Sequence, residues 1–296
     1  MFEGLSVAMV TPFRGGAIDR DATARLVEWM IEGGVEGLVV SGSTGEAATC
    51  TLEERRALLA FVKERARGRV WIVAGTGTNN TAESVALTKM AEEVGVDGAM
   101  LVTPYYNKPT PRGQVAHFTA VARSTRLPLI LYNVPGRTGT NTPPEVFAQV
   151  QELPNVKAVK EASGNLEQIS QLRARTRLTV LSGDDALTLP VIAVGGQGIV
   201  SVAGQVVPRE MRALTDAARA GRNAEAEGLH RQLLSLFKAL FAESNPGPVK
   251  YLLAEMGLVA NELRLPLVPV EPATGKLVVD AARGAGVALA GAAARA

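Results

Sequence analysis

From the N-terminus to about residue 220, short β-branched and apolar runs alternate with longer amphipathic stretches. Parallel strands joined through crossover helices leave this pattern. The strand-like runs occupy residues 6–11, 37–41, 70–74, 98–103, 128–132, 156–160, 178–182 and 198–202. Between them, stretches such as 21–33, 52–67, 81–94 and 111–124 carry apolar residues at three- and four-residue spacing. Thr51 before Leu52 and Thr142 before Pro143 read as helix starts. Eight strand–helix units favour an α/β fold closed into a (β/α)8 TIM barrel. An open doubly wound sheet usually has fewer strands and often a glycine fingerprint in its first turn.

Beyond residue 220 the pattern changes. Residues 223–241 and 248–256 read as helices, with Pro246 and Pro248 as punctuation. The sequence therefore predicts a catalytic barrel over 1–221 and a small C-terminal helical domain over 222–296. The alanine- and glycine-rich stretch 285–296 is expected to end it as a frayed helix.

Composition narrows the function classes. With 31 basic and 29 acidic residues and no run of like charge, the chain lacks a footprint for nucleic acid. No apolar run reaches membrane-spanning length, and the first five residues do not resemble a signal peptide, so no membrane partner is expected. Cys50 is the single cysteine, which excludes an intramolecular disulfide, fits a reducing cytoplasm and reads as a small buried hydrophobe. His117 and His230 are the only histidines, too few with one cysteine for a His/Cys zinc site; neither a metal nor a cofactor is expected.

In a barrel of this kind, chemistry sits at the C-terminal ends of the strands. The polar clusters of this chain fall there: 42–46 after the second strand, 75–79 after the third, 105–107 after the fourth, 132–137 after the fifth and 183–185 after the seventh. Lys160 ends the sixth. An ammonium held among apolar walls loses hydration, so its pKa falls from about 10.4 toward roughly 7 or 8, and the neutral amine can form a Schiff base with a keto group. A lone strand-end lysine more often snorkels to solvent; the converging loops argue otherwise here. Tyr132, one strand earlier, can pass protons, above all if linked to the Ser43 hydroxyl. The glycine- and hydroxyl-rich loop 42–46 suits a carboxylate, and Arg137 can grip a second one bidentately. Glu46 would pair, cap or orient a loop, and Asp184 and Asp185 would cap the following helix rather than bind metal.

These loops resemble the pyruvate-dependent class I aldolases and lyases, the family that includes the dihydrodipicolinate synthases and the N-acetylneuraminate lyases. The resemblance covers nearly the whole chain, from Val10-Thr11-Pro12-Phe13 through Gly42 to Glu46, then Asn245-Pro246-Gly247-Pro248-Val249-Lys250 and Leu263-Arg264-Leu265-Pro266. Tyr105-Tyr106-Asn107, the run 132–139 and Lys160-Glu161-Ala162-Ser163-Gly164-Asn165 look most like the synthase branch. The resemblance implies that Lys160 forms the Schiff base with pyruvate. Tyr132, Ser43 and Tyr106 would form a proton relay, with Tyr106 supplied across a subunit interface. It further implies that Thr44 holds the pyruvate carboxylate and Arg137 that of L-aspartate 4-semialdehyde. Gly183 and Val200 would line the pocket through their backbone. A cytoplasmic homotetramer in lysine (diaminopimelate) biosynthesis is the implied setting.

Two departures stand out. The relay position usually holds threonine in the synthases, and Ser43 lacks the methyl that fixes the rotamer. Family members that bind lysine do so through residues matching Asn79, Glu83 and Tyr105, all present, but Ala47, Leu52 and Arg55 stand where feedback-sensitive enzymes carry serine and histidines. Weak or absent lysine inhibition is expected. The alternatives are a neuraminate or other sugar-acid lyase using the same lysine, and a catalytically silent keto-acid sensor. Arg137 speaks against the first and the joint presence of Lys160, Tyr132, Ser43 and Tyr106 against the second.

Overall fold

The computed structural model describes residues 1–290. Eight parallel strands close into one barrel: β1 Gly4–Ala8, β2 Gly37–Val40, β3 Trp71–Gly75, β4 Gly98–Val102, β5 Leu129–Asn133, β6 Val156–Glu161, β7 Thr179–Ser182 and β8 Gly198–Ser201. Each pairs with its sequence neighbours, and β1 pairs with β8 to close the ring. The surrounding helices are α1 Arg20–Glu32, α2 Leu52–Ala66, α3 Thr81–Val94, α4 Pro111–Arg123, α5 Pro135–Thr138, α6 Pro144–Val150, α7 Leu166–Arg175, α8 Thr188–Ala193 and α9 Pro208–Arg219. Three more follow: α10 Asn223–Ala239, α11 Gly247–Glu255 and α12 Pro272–Gly284. Of these, α10 packs on α9 and α12, and α11 packs on α12.

The closed α/β barrel read from the alternation is the observed fold, with local differences. The first strand spans Gly4–Ala8 rather than 6–11. Past Met9 its backbone and side chains leave the ladder: the Val10 N–H donates to Gln205 Oε1 at 2.8 Å and the Thr11 hydroxyl to the Gly45 carbonyl at 2.7 Å. Thr51 caps α2 in a capping box, its Oγ1 accepting from the Glu54 N–H while Glu54 Oε2 accepts from the Thr51 N–H. Thr142 does not cap α6; Pro143 takes that position, and the Thr142 hydroxyl shares a buried 2.7 Å hydrogen bond with that of Thr103. The helix expected over 285–296 is absent over 285–290, where α12 has already ended; the rest of that stretch lies outside the described residues. The hairpin Phe13–Arg14 with Ala17–Ile18, the one-turn α5 and α12 itself were not foreseen.

Side chains alternate between two cores. Leu26, Phe118, Leu131 and Val159 belong to the cluster between strands and helices, whereas Ala8, Val39, Val73, Ile130, Ala158, Leu181 and Val200 fill the inside of the ring. On β6 this alternation is reset. Leu129 pairs with Val156 but Ile130 pairs with Ala158, so Lys157 is the extra residue of a bulge. After it, Lys160 stands opposite Tyr132 and Glu161 opposite Asn133. Without that extra residue the strand end would shift by one, and the lysine would face the helices.

At the other end of the barrel, β2 and β3 approach closely at Gly37. A Cβ there would lie 1.7 Å from Trp71 Nε1, which donates to the Ser6 hydroxyl at 3.1 Å. Gly37→Ala is expected to displace the Trp71 indole from Ser6 and cost about 2 kcal/mol. Thermal unfolding and Trp71 fluorescence in a Trp29→Phe background check this; an unchanged midpoint and emission would contradict the contact.

Candidate active site

Lys160 ends inside the barrel, 5% exposed, on the same face as Ala158. Its Nζ lies 4.3 Å from the centroid of the Tyr132 ring, so the phenol ring covers the amine. Burial is the largest influence on the amine and lowers its pKa from 10.5 to about 8; Asp185 pulls it up and Arg137 pushes it further down. Burial acts on Tyr132 in the opposite sense, raising the phenol to about 12. Gly183 completes the setting: a Cβ there would come within 2.7 Å of Ala162 Cβ and 3.0 Å of Lys160 Cε. Only glycine leaves that side of the lysine free. Val200 is fully buried in the inner cluster that also holds Tyr132.

A cavity of about 540 Å³ opens beside this pair, with Ser43, Tyr132, Arg137 and Asn245 among its wall residues. Lys160, Thr44, Gly183 and Val200 are not on that wall; the amine sits behind the Tyr132 ring. The hydroxyls of Tyr132 and Ser43 share no hydrogen bond among the described residues. Tyr106 is not brought to the others within one chain: it is 87% exposed, in the left-handed region with φ of 70°, held through its N–H to the Thr138 carbonyl. Cys50, expected in the core, is only half-buried and lines the cavity, because the loop 47–50 runs along its rim. Arg55 also faces it. Its buried guanidinium donates to the Gly75 carbonyl at 2.6 Å and is held below the ordinary arginine range by desolvation.

The loop 42–46 is closed by backbone turns, with the Gly45 and Glu46 N–H groups donating to the Gly42 and Ser43 carbonyls. Two of its side chains are held from the far end of the sequence. Thr44 Oγ1 accepts from the Asn245 side-chain amide at 2.9 Å, and the fully buried Glu46 carboxylate takes the Lys250 ammonium at 2.5 Å. Glu46 thus pairs and orients its loop, one of the roles open to it from sequence. The run 245–250 is visible in the sequence as a motif, but nothing local ties Asn245 and Lys250 to residues some two hundred positions earlier, so their partners are not legible there.

Asp184 caps the short turn after β7 through the Ala186 N–H. Asp185 does not cap it. Its buried carboxylate accepts from the Ser201 hydroxyl and from the Val202 and Ala203 N–H groups, tying the end of β7 to the end of β8. On the outer face, the Glu161 carboxylate accepts from the Asn133 amide at 3.0 Å and the Ser163 N–H at 2.7 Å, and desolvation raises its pKa. The residues following Tyr132 and Lys160 are therefore bonded to each other, which fixes the two strands at the level of the site.

Residues 1–283 match the dihydrodipicolinate synthetase family. A curated relative, the 4-hydroxy-tetrahydrodipicolinate synthase of Nitratidesulfovibrio vulgaris, is 47% identical over 97% of this chain and 99% of its own. Among solved structures, the dihydrodipicolinate synthase of Aquifex aeolicus superposes with a TM-score of 0.96 at 41% identity, covering 98% of this chain and 100% of that one. The chloride-inhibited dihydrodipicolinate synthase of Acinetobacter baumannii, complexed with pyruvate, gives 0.94 at 38% identity over 97% and 100%.

The desolvated amine carries a stability cost that can be measured. A drop from 10.5 to about 8 is worth about 3 kcal/mol against the charged form at ~1.4 kcal/mol per pKa unit. Below pH 8 folded and unfolded chains both hold the proton and the cost is complete. Between about 8 and 10.5 only the unfolded chain binds it, so stability rises with pH, and above 10.5 the cost is gone. Lys160→Met is therefore expected to be more stable than the parent at pH 7, by an amount that shrinks at pH 10.5. Urea unfolding at both pH values checks this; a variant less stable at pH 7 would refute it.

Proposed function

The chain belongs to the dihydrodipicolinate synthetase family, and from that premise we propose that Lys160 is its Schiff-base nucleophile. The activity is that of a 4-hydroxy-tetrahydrodipicolinate synthase, a lyase of lysine (diaminopimelate) biosynthesis that condenses pyruvate with L-aspartate 4-semialdehyde. The observation that carries the residue assignment is the pairing of a buried amine at about 8 with a phenol at about 12 beside one cavity. At pH 7 roughly a tenth of such an amine is neutral while the phenol keeps its proton. The neutral nitrogen attacks the keto carbon, the carbonyl oxygen takes up protons and leaves as water, and loss of a methyl proton gives the enamine that attacks the aldehyde.

In this reading Tyr132 and Ser43 pass protons, joined by Tyr106 of a second subunit. The strong exposure of Tyr106 supports a role across an interface. Thr44 and the loop 42–46 hold the pyruvate carboxylate, Arg137 on the cavity wall receives that of the semialdehyde, and Gly183 and Val200 shape the pocket around the amine. A homotetramer and a cytoplasmic location complete the proposal; among the described residues no helix is long and apolar enough to cross a membrane. Arg55, buried at the cavity wall near Glu83 and Tyr105, adds positive charge where a lysine effector would bring its own, which supports weak lysine feedback.

Borohydride reduction in the presence of pyruvate should leave a stable adduct on Lys160, lost in Lys160→Ala. Its rate of formation should rise about tenfold from pH 6 to 7 and level off above about 8. Initial rates with L-aspartate 4-semialdehyde should far exceed those with N-acetylmannosamine, and Arg137→Ala should remove that preference. An adduct persisting in Lys160→Ala would show that another lysine reacts, and clear inhibition at sub-millimolar lysine would sink the expectation of weak feedback.

A further inference from the structure

We propose that Asn245 and Lys250, contributed by the C-terminal end of the chain, are positioning residues for the keto-acid carboxylate, acting through the loop 42–46. This rests on the reading of Thr44 as a donor to that carboxylate. A threonine hydroxyl has one proton. Because the Asn245 amide donates to Thr44 Oγ1 at 2.9 Å, that proton is left to point away from Asn245 and to donate to an acceptor on the ligand. Asn245 is itself 6% exposed and belongs to the cavity wall, and its Oδ1 has no partner among the described residues. The amide is thus built into the site rather than into the surface.

Lys250 fixes the other end of the loop. Glu46 adopts a left-handed backbone with φ of 51° and ψ of 36°, a conformation that a non-glycine residue keeps only when its surroundings hold it there. The surroundings do so: its carboxylate takes the Lys250 ammonium at 2.5 Å and the Arg264 N–H at 3.0 Å, with both charged side chains fully buried. Lys250 in turn donates to the Glu262 carbonyl at 2.7 Å and lies 4.3 Å from the centre of the Phe13 ring. The two anchors land on Thr44 and Glu46, two positions apart in the segment that also carries Ser43. The C-terminal residues therefore set the geometry of the carboxylate donors while leaving Lys160 untouched.

The test uses the full-length protein and three variants: Asn245→Ala, Asn245→Asp, and the double change Glu46→Gln with Lys250→Met. The double change removes both buried charges together, so no unpaired charge remains to unfold the chain. Half-saturation of the Lys160 adduct by pyruvate is measured by borohydride trapping, alongside KM for each substrate and kcat. Asn245→Ala should raise the pyruvate KM about tenfold, the effect of losing one oriented hydrogen bond to a charged group. Its kcat at saturating pyruvate and its KM for the aldehyde should be nearly unchanged. Asn245→Asp should do more harm, since a carboxylate captures the Thr44 proton, and the double variant should share the pyruvate-specific defect. Unchanged pyruvate saturation in Asn245→Ala, or equal rises in both KM values, would overturn the proposal. Absence of any pyruvate adduct in the parent protein would instead overturn the functional reading on which it rests.

Discussion

Burial of one amine inside a closed ring of strands sets the terms for the rest of the site. In water a lysine and a tyrosine titrate close together, near 10.4 and 10. Inside this barrel desolvation disfavours the charged form of each, and those forms are opposite: the ammonium of Lys160 and the phenolate of Tyr132. One pKa therefore falls to about 8 and the other rises to about 12. The same physical cause yields an amine that gives up its proton near neutral pH beside a phenol that still holds its own, the separation of roles that acid–base chemistry at neutral pH needs. Neighbouring charges come after burial in their influence, Asp185 and Arg137 acting on the amine in opposite directions.

The side proposed to bind the carboxylate obeys a different constraint. A third free cation close to Lys160 would depress the amine further, so holding an anionic keto acid there favours neutral donors. The loop 42–46 offers backbone N–H groups and hydroxyls, and the one carboxylate it carries is neutralised by the buried Lys250 ammonium. A buried ion pair of this kind is weak evidence of stability, because desolvating both ions offsets most of their attraction. Its consequence here is geometric: it holds Glu46 in a backbone conformation that its residue type disfavours.

How far this was legible in the sequence depends on the range of the interaction. The barrel followed from the alternation of strand and helix, because that pattern repeats within some thirty residues. Lys160, Tyr132, Ser43 and Arg137 could be assembled because a barrel sends every strand end to one face. Even so, the parity of Lys160 was less secure than it looked. The run 156–160 reads as a simple alternation with Val156, Ala158 and Lys160 on one face, yet Val156 packs outward, and only the bulge at Lys157 brings Lys160 into phase with Tyr132. Asp185 was read as a local cap because its sequence neighbours suggest one, whereas its bonds go to Ser201, Val202 and Ala203 on the next strand. Cys50 is half-buried rather than in the core because burial of a loop residue depends on what the loop runs past, which composition does not contain.

Asn245 and Lys250 mark where such reading stops and why the C-terminal helices matter. A barrel can close without them, since no bond of the eight-stranded ladder involves either residue. What the ladder cannot do is fix a loop beyond the strand ends, where backbone groups have no neighbouring strand to pair with. The loop after β2 must therefore be held by its own turns and by side chains from elsewhere, and those side chains come from Asn245 and α11. The division of labour is physical: the ring of strands supplies the dry interior that tunes Lys160, and the chain beyond it supplies the polar contacts to Thr44 and Glu46. On the proposed role of Thr44, each can vary without undoing the other, so a barrel that keeps its amine chemistry can change how tightly, and in what orientation, the acid is held.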